Sequence, residues 1–272
     1  MWTNSDRLRT EPSPVLTGPE SGTEGGPGGG TKDCGGVKAR QRLLTVASYN
    51  IRKAVGADMR RRPERILDVL DETGADVAVL QEADRRFGAR AAALPERELE
   101  CRGWRHVPLG MTADAIGWHG NAVLVRSGIE VVAQRQLQLP VLEPRGAVMA
   151  DLRIDGRPLT VVGMHLDLSG LWRRRQARTI LRQLAARESE SPTLLMGDMN
   201  EWRGAAGALA DFAARHRPVM TGPSFPARVP LARLDRIFAS GRLEIEASGV
   251  HQSALSRVAS DHLPLWVRLR LP

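Results

Sequence analysis

Residues 194–200 read LLMGDMN, an apolar run that stops on Gly-Asp-x-Asn. Asp and Asn are ordinary turn formers, so the stretch acquires meaning only from how the chain's other apolar runs end. From residue 43 onward, short β-rich runs alternate with polar connections. They are 43–49 (LLTVASY), 76–81 (DVAVLQ), 121–126 (NAVLVR), 146–154 (GAVMADLRI), 159–164 (LTVVGM), 193–197 (TLLMG), 234–239 (LDRIFA) and 263–271 (LPLWVRLRL). The alternation in ADLRI and VRLRL predicts half-buried or antiparallel strands, and the continuous runs predict strands covered on both faces.

Two helices are expected between them. One covers about 62–73, with Pro63 at its start, Ile66, Leu67 and Leu70 on one face, and Gly74 just past its end. The other covers about 171–188, where Ala177, Ile180, Leu181 and Leu184 form a stripe and Arg174, Arg178 and Arg182 lie opposite.

Lining up the run ends shows a pattern. LLTVASY ends on Asn50, DVAVLQ on Glu82, LTVVGM on His165, and TLLMG on Asp198 and Asn200; Asp235 sits in LARLDRIF, and Asp261 and His262 immediately precede the last run. Turn chemistry explains this poorly, because Glu and His are not turn specialists. Strand ends on one rim of a sheet system bring such side chains together, which points to one mixed site of carboxylates, amides and imidazoles.

In order and approximate spacing, SYN50, LQE82, GMH165LD, GDMN200, LD235RIF and SD261H262 resemble the motifs of the endonuclease/exonuclease/phosphatase superfamily, the DNase I-like metal-dependent phosphoesterases. The resemblance covers about 43–271. It implies an α/β (α+β) fold, a four-layered αββα sandwich with two mostly antiparallel sheets face to face and helices outside. It further implies a Mg²⁺-dependent hydrolase of phosphodiester bonds, with Mn²⁺ able to substitute. Glu82 would be the principal metal ligand, with Asn50 and Asp261 close by. Asp235 and His262 would form a carboxylate–imidazole pair, Asp198 and Asn200 would orient water and phosphoryl oxygens, and His165 would donate to a phosphoryl oxygen. Either His262 or Asp198 could serve as the base.

Substrate contacts are sought beside these motifs. GLWRRRQAR places Trp172 and Arg173 at a helix start, Arg145 lies in EPRGAV, and Asn121 opens a run in a segment resembling the family's GNA-containing stretch. Asp167 and Ser260 read as local backbone hydrogen bonders. Two features separate the chain from narrower branches. Arg52 stands where abasic-site endonucleases usually carry an acidic or Asn residue, and the two cysteines, Cys34 and Cys101, offer no disulfide framework of the secreted DNase type.

Composition sets the remaining bounds. The chain of 272 residues carries a net charge of +8, almost all of it from arginine. Coding bias accounts for most of that excess, and attraction to an anionic partner is the functional alternative. Residues 1–40 hold nine of the 27 glycines and four prolines without apolar periodicity, so they are expected to form a disordered tail ahead of a domain at 41–272. With no signal-like start and no stretch approaching the ~18 apolar residues of a membrane span, the expectation is a soluble, cytoplasmic monomer without integral membrane association. The expected substrate is a phosphodiester of nucleic acid, with phospholipid (sphingomyelinase-like) or inositol phosphate behind it. A catalytically inactive phosphate-binding module of the same fold is the non-enzyme alternative, which retention of all six motifs counts against. A histidine-rich dinuclear site ranks last, because His165-Leu-Asp167 lacks the clustered HxH pattern.

Overall fold

The computed structural model describes residues 42–85, 91–110, 112–140, 142–143, 145–187, 189–204 and 206–272; the tail expected over 1–40 lies outside them. In chain order the elements are β1 (Leu44–Asn50), α1 (Pro63–Thr73), β2 (Val77–Gln81), α2 (Glu96–Cys101), β3 (Trp104–His106), β4 (Ala122–Arg126), β5 (Glu130–Leu137) and β6 (Gly146–Ile154). They continue with β7 (Arg157–His165), α3 (Gly170–Ala185), β8 (Thr193–Asp198), α4 (Ala208–Ala213), β9 (Arg217–Val219), β10 (Asp235–Ala239), β11 (Glu244–Val250), α5 (Ser256–Ala259) and β12 (Leu265–Arg270). Among the described residues the strands form two six-stranded sheets, ordered β11-β12-β1-β2-β4-β3 and β5-β6-β7-β8-β10-β9. Both are mixed: β1–β2 and β7–β8 run parallel, and the other pairs are antiparallel.

The pleat explains why the central runs read as continuously apolar. In β1, Leu44 and Val46 join the core between the sheets, whereas Ala47 and Tyr49 face Ile66, Leu67 and Leu70 of α1. In β8, Leu194 and Met196 point between the sheets and Leu195 points to the layer holding Ile180 of α3 and Phe212 of α4. Successive side chains of a strand face opposite sides, so a strand with a sheet on one side and helices on the other is apolar at every position. The result is the expected four-layered sandwich. In β12, Val267 and Leu269 are buried between the sheets while Arg268 is exposed, which accounts for its alternation. Helix α1 starts on Pro63 and closes on Gly74 at φ 64°.

Two glycines are required by the layers. A Cβ on Gly163 would lie 2.4 Å from Val79 Cγ1 of the facing sheet. At Gly197 φ is 145° and a Cβ would lie 1.9 Å from the Met164 carbonyl oxygen. This is the physical reason for the glycine in LLMGDMN, since β8 reaches the rim in a conformation and at a distance from β7 that no side chain allows. Gly197→Ala is therefore expected to destabilise the chain by about 2–4 kcal/mol, read as a lower urea midpoint. Gly156→Ala, at φ 79° with nothing within 4 Å of its Cβ, should cost only about 1 kcal/mol. Equal losses at the two positions would show that the contact with Met164 is unimportant.

Candidate active site

Strand register assembles one half of the site. Across β6, β7, β8 and β10, Gly146 is opposite His165, His165 is opposite Asp198, and Asp198 is opposite Asp235. Three functional side chains thus stand in neighbouring strands of one sheet, which run ~4.8 Å apart. The other sheet contributes Asn50 at the end of β1, opposite Gln81, with Glu82 next in the chain. The Ser260 hydroxyl donates to the Asn50 carbonyl (2.7 Å), which ties the SDH segment before β12 to the same rim.

These groups converge on one oxygen. Asn50 Nδ2 donates to Asp198 Oδ2 (3.0 Å), His165 Nε2 lies 3.3 Å from it, and His262 Nε2 lies 3.7 Å from it. The second Asp198 oxygen accepts the Asn200 backbone N–H (3.0 Å). Behind His262, its Nδ1 is 2.8 Å from Asp235 Oδ2, which also accepts the Ser224 hydroxyl. Among the described residues, Asp235 Oδ1 is buried without a hydrogen-bond partner. Burial opposes a charge on His262, but attraction to Asp235, their hydrogen bond and the charges of Asp198 and Asp261 outweigh it and raise the imidazole pKa to about 10. Beside His165, one guanidinium nitrogen of Arg145 contacts both ring nitrogens, Nδ1 at 2.9 Å and Nε2 as well.

The remaining predicted residues are placed as follows. Glu82 pairs with Lys53, and Asp261 with Arg52 (3.3 Å). The Asn200 amide donates to the Leu166 carbonyl (2.9 Å), holding the segment after β7. Asn121 is fully buried, and its amide donates to the Gly146 carbonyl (3.0 Å), linking the two sheets rather than opening to solvent. Arg173 is also turned inward. Its guanidinium donates to Glu201 (3.0 and 3.2 Å) and to the Leu168 carbonyl, so its donors hold the loop before α3. Trp172 lies under the Arg175 guanidinium, 4.9 Å from its ring centroid. Asp167 accepts the Ser169 N–H (2.8 Å), the local role read for it.

Lys53, Ser224, Glu201 and Phe225 were not singled out by sequence reasoning. Phe225 packs against the His262 ring at 4.9 Å between centroids. Ser224 and Phe225 lie outside every apolar run and carry no local signal. Lys53 could have been noticed, as the only lysine beyond the first 40 residues.

Among the described residues, one cluster of ligand atoms could hold a cation: those of Asp198, Asp235 and His262 all lie within 4.8 Å of one another. Glu82 and Asp261, the ligands that the resemblance implies, are each already paired with a cationic side chain, Lys53 and Arg52. Oxygen donors of this kind suit a hard divalent ion.

Fold and rim together define the class: a four-layered α/β protein with a centre of acids, amides and imidazoles. A model of the Endonuclease/Exonuclease/phosphatase family matches residues 47–262, and the chain belongs to that family, whose members are hydrolases acting on phosphoester bonds. It is 30% identical over 259 residues to an uncharacterized Escherichia coli K12 protein, YbhP, covering 86% of this chain and 99% of that one. Solved structures of the same fold include an endonuclease/exonuclease/phosphatase from Bacteroides vulgatus, with TM-score 0.69 and 18% identity over 85% of this chain and all of that one. The D. rerio protein TDP2 complexed with a single-strand DNA product matches with TM-score 0.65 and 16% identity, covering 84% and 99% of the two chains. A Bacteroides thetaiotaomicron mannosyl-6-phosphatase matches with TM-score 0.64 and 19% identity, covering 83% and 99%.

Proposed function

We propose that the chain is a Mg²⁺-dependent phosphodiesterase acting on nucleic acid. The observation that carries this reading is the convergence of Asn50, His165 and His262 on Asp198 Oδ2, since a site built around one carboxylate between two imidazoles is suited to activating water beside an anion. Asn50, Glu82 and Asp261 would hold the metal ion, which supplies charge neutralisation at a phosphoryl oxygen when bound. His262, fixed by Asp235, takes the proton from water in its neutral form, which a pKa raised to about 10 makes the minor one at neutral pH. Asp198 orients that water, and His165 and Arg145, side by side at the rim, donate to the phosphoryl oxygen as charge grows there. Asn200 keeps Asp198 in place through its backbone N–H and anchors the neighbouring loop. No described helix is long and apolar enough to cross a membrane.

The nucleic-acid assignment draws on the outer face of α3. A groove of about 390 Å³ between α3 and α4 is lined by Arg178, Arg182, Arg215 and Asp211 among others. Arg174 and Arg178 share Asp211 (3.1 and 3.3 Å), so the excess positive charge in the groove falls to Arg182 and Arg215. Each phosphate neutralised by such a residue releases counterions and adds roughly −0.7 to −0.9 to the log–log slope of affinity against salt. Replacing Arg178, Arg182 and Arg215 with alanine should flatten that slope while hydrolysis of bis-nitrophenyl phosphate persists.

A lipid phosphodiester is the second reading, favoured by exposed apolar side chains beside His262. Trp202 (66% exposed) stacks edge-on against Phe225, and the 225–232 hairpin exposes Val229 (62%) and Leu231 (79%). These are one aromatic and two aliphatic residues. Intact plasmid and single strands under Mg²⁺ or Mn²⁺ at low salt, with the small diester and a vesicle-borne phosphodiester both cleaved, would transfer the assignment to lipid.

A further inference from the structure

Immediately after Asn50 the backbone enters a conformation that L-residues avoid. Arg52 (φ 45°), Lys53 (φ 56°) and Ala54 (φ 60°) are three consecutive non-glycine residues in the left-handed region, and Glu82, their neighbour across the rim, is a fourth at φ 54°. Local bonds hold the turn in place. The Arg52 N–H donates to Asn50 Oδ1 (3.1 Å), the Lys53 N–H to the Glu82 carbonyl (3.0 Å) and the Ala54 N–H to the Ile51 carbonyl (2.7 Å). Ala54 is buried in the core beside α1, whereas the side chains of Arg52 and Lys53 are about one-third exposed (31% and 34%). What the turn does achieve is direction. It sends Lys53 to Glu82 and Arg52 to Asp261, the two carboxylates read above as metal ligands.

We propose that the 52–54 turn is a resident counter-cation for the metal site. Lys53 and Arg52 neutralise Glu82 and Asp261 in the metal-free protein, so a divalent ion binds only by exchange with them, and the turn sets the affinity for metal. The inference rests on the reading of Glu82 and Asp261 as metal ligands. Glu82 and Asp261, each held by one of two adjacent residues of this turn, would otherwise invite any cation from solution. An internal ammonium and guanidinium balance that charge and reserve the site for an ion that binds more strongly than they do. Arg and Lys at 52 and 53 therefore act on the metal through its ligands, as positioning residues, and the backbone bond from Lys53 to the Glu82 carbonyl keeps the displaced side chain tethered at the site.

The test uses the full-length, metal-stripped chain without substrate, with Mn²⁺ titrated and free Mn²⁺ followed by electron paramagnetic resonance. Lys53→Met keeps an unbranched side chain one atom shorter and removes its charge. The Lys53–Glu82 pair is partly exposed and of the modest strength usual for such pairs, so this variant should bind Mn²⁺ about two- to five-fold more tightly than wild type. Lys53→Arg restores the charge and should return the affinity to the wild-type value. Arg52→Met should tighten binding in the same direction through Asp261, and it supplies the measurement if Lys53→Met does not fold. Unchanged or weaker binding by both Met variants would overturn the proposal, as would tightening by Lys53→Arg equal to that of Lys53→Met. An absence of Mn²⁺ binding by the wild-type chain would instead overturn the metal reading itself, a distinct result because then no variant has an affinity to compare.

Discussion

Replacing His262 with alanine is expected to lower turnover on a phosphodiester by about 10²–10⁴, and adding Asp235→Asn to that variant is expected to lower it little further. The reason is that the two side chains form one device. His262 Nδ1 and Asp235 Oδ2 are 2.8 Å apart, both groups are buried, and Ser224 donates to the same Asp235 oxygen. The carboxylate therefore fixes both the orientation of the ring and the nitrogen that carries the hydrogen, leaving Nε2 toward Asp198. An asparagine at 235 keeps the shape but can present an N–H to Nδ1 and turn the ring into the wrong tautomer, so the single Asp235→Asn variant should lose activity by the same route. Residues that act as a unit are strongly non-additive. Single-turnover rates of the two single variants and the double variant measure this directly. Strictly additive losses would mean that the groups do separate jobs, and the role of base would pass to Asp198, whose Oδ2 lies 3.7 Å from His262 Nε2.

The parts of the fold legible in the sequence are those that burial makes periodic or continuous. Strands β1, β2, β4, β6, β7, β8, β10 and β12 all coincide with apolar runs. The four strands without such a signal, β3, β5, β9 and β11, are the four sheet edges. An edge strand is paired on one side only and is largely open to solvent, so its residues need not be apolar; β5, EVVAQRQL, buries only its last residue. The mixed character of both sheets was equally out of reach, because a parallel neighbour leaves no mark on a strand already buried on both faces. At the site, residues at strand ends were visible because a polar group closing an apolar run is conspicuous. Partners supplied from far along the chain were not. Ser224 reaches Asp235, Glu201 reaches Arg173 and Arg145 reaches His165 through contacts that no local pattern encodes. Arg173 illustrates the cost of reading an arginine by neighbourhood alone. Beside two motifs it looked outward, yet it is only 6% exposed and its guanidinium is bonded to Glu201.

Glu82→Gln is expected to weaken divalent-metal binding and to lower turnover by about 10²-fold or more, because even partners of metal ligands cost 10–100-fold when removed. The substitution isolates charge. Glutamine has the shape of glutamate and retains a carbonyl oxygen, and position 82 already holds a positive φ of 54° with a side chain that is 24% exposed, so the core has no reason to respond. The melting temperature of the metal-free variant should accordingly stay close to that of the wild type; a large fall together with activity would make Glu82 a structural residue instead. Lys53 sharpens the expectation. Once Glu82 is neutral, the Lys53 ammonium is left facing the site without its carboxylate, and it then repels an arriving divalent ion that it formerly only competed with. Loss of a ligand and gain of a repulsion act in the same direction, so adding Lys53→Met to Glu82→Gln should recover part of the lost affinity while turnover stays low. The metal requirement itself is settled by chelation: wild-type protein treated with EDTA should be inactive and should regain activity with Mg²⁺ or Mn²⁺, and full activity in EDTA would remove metal from the mechanism and leave hydrolysis to Asp198, His165 and the Asp235–His262 pair.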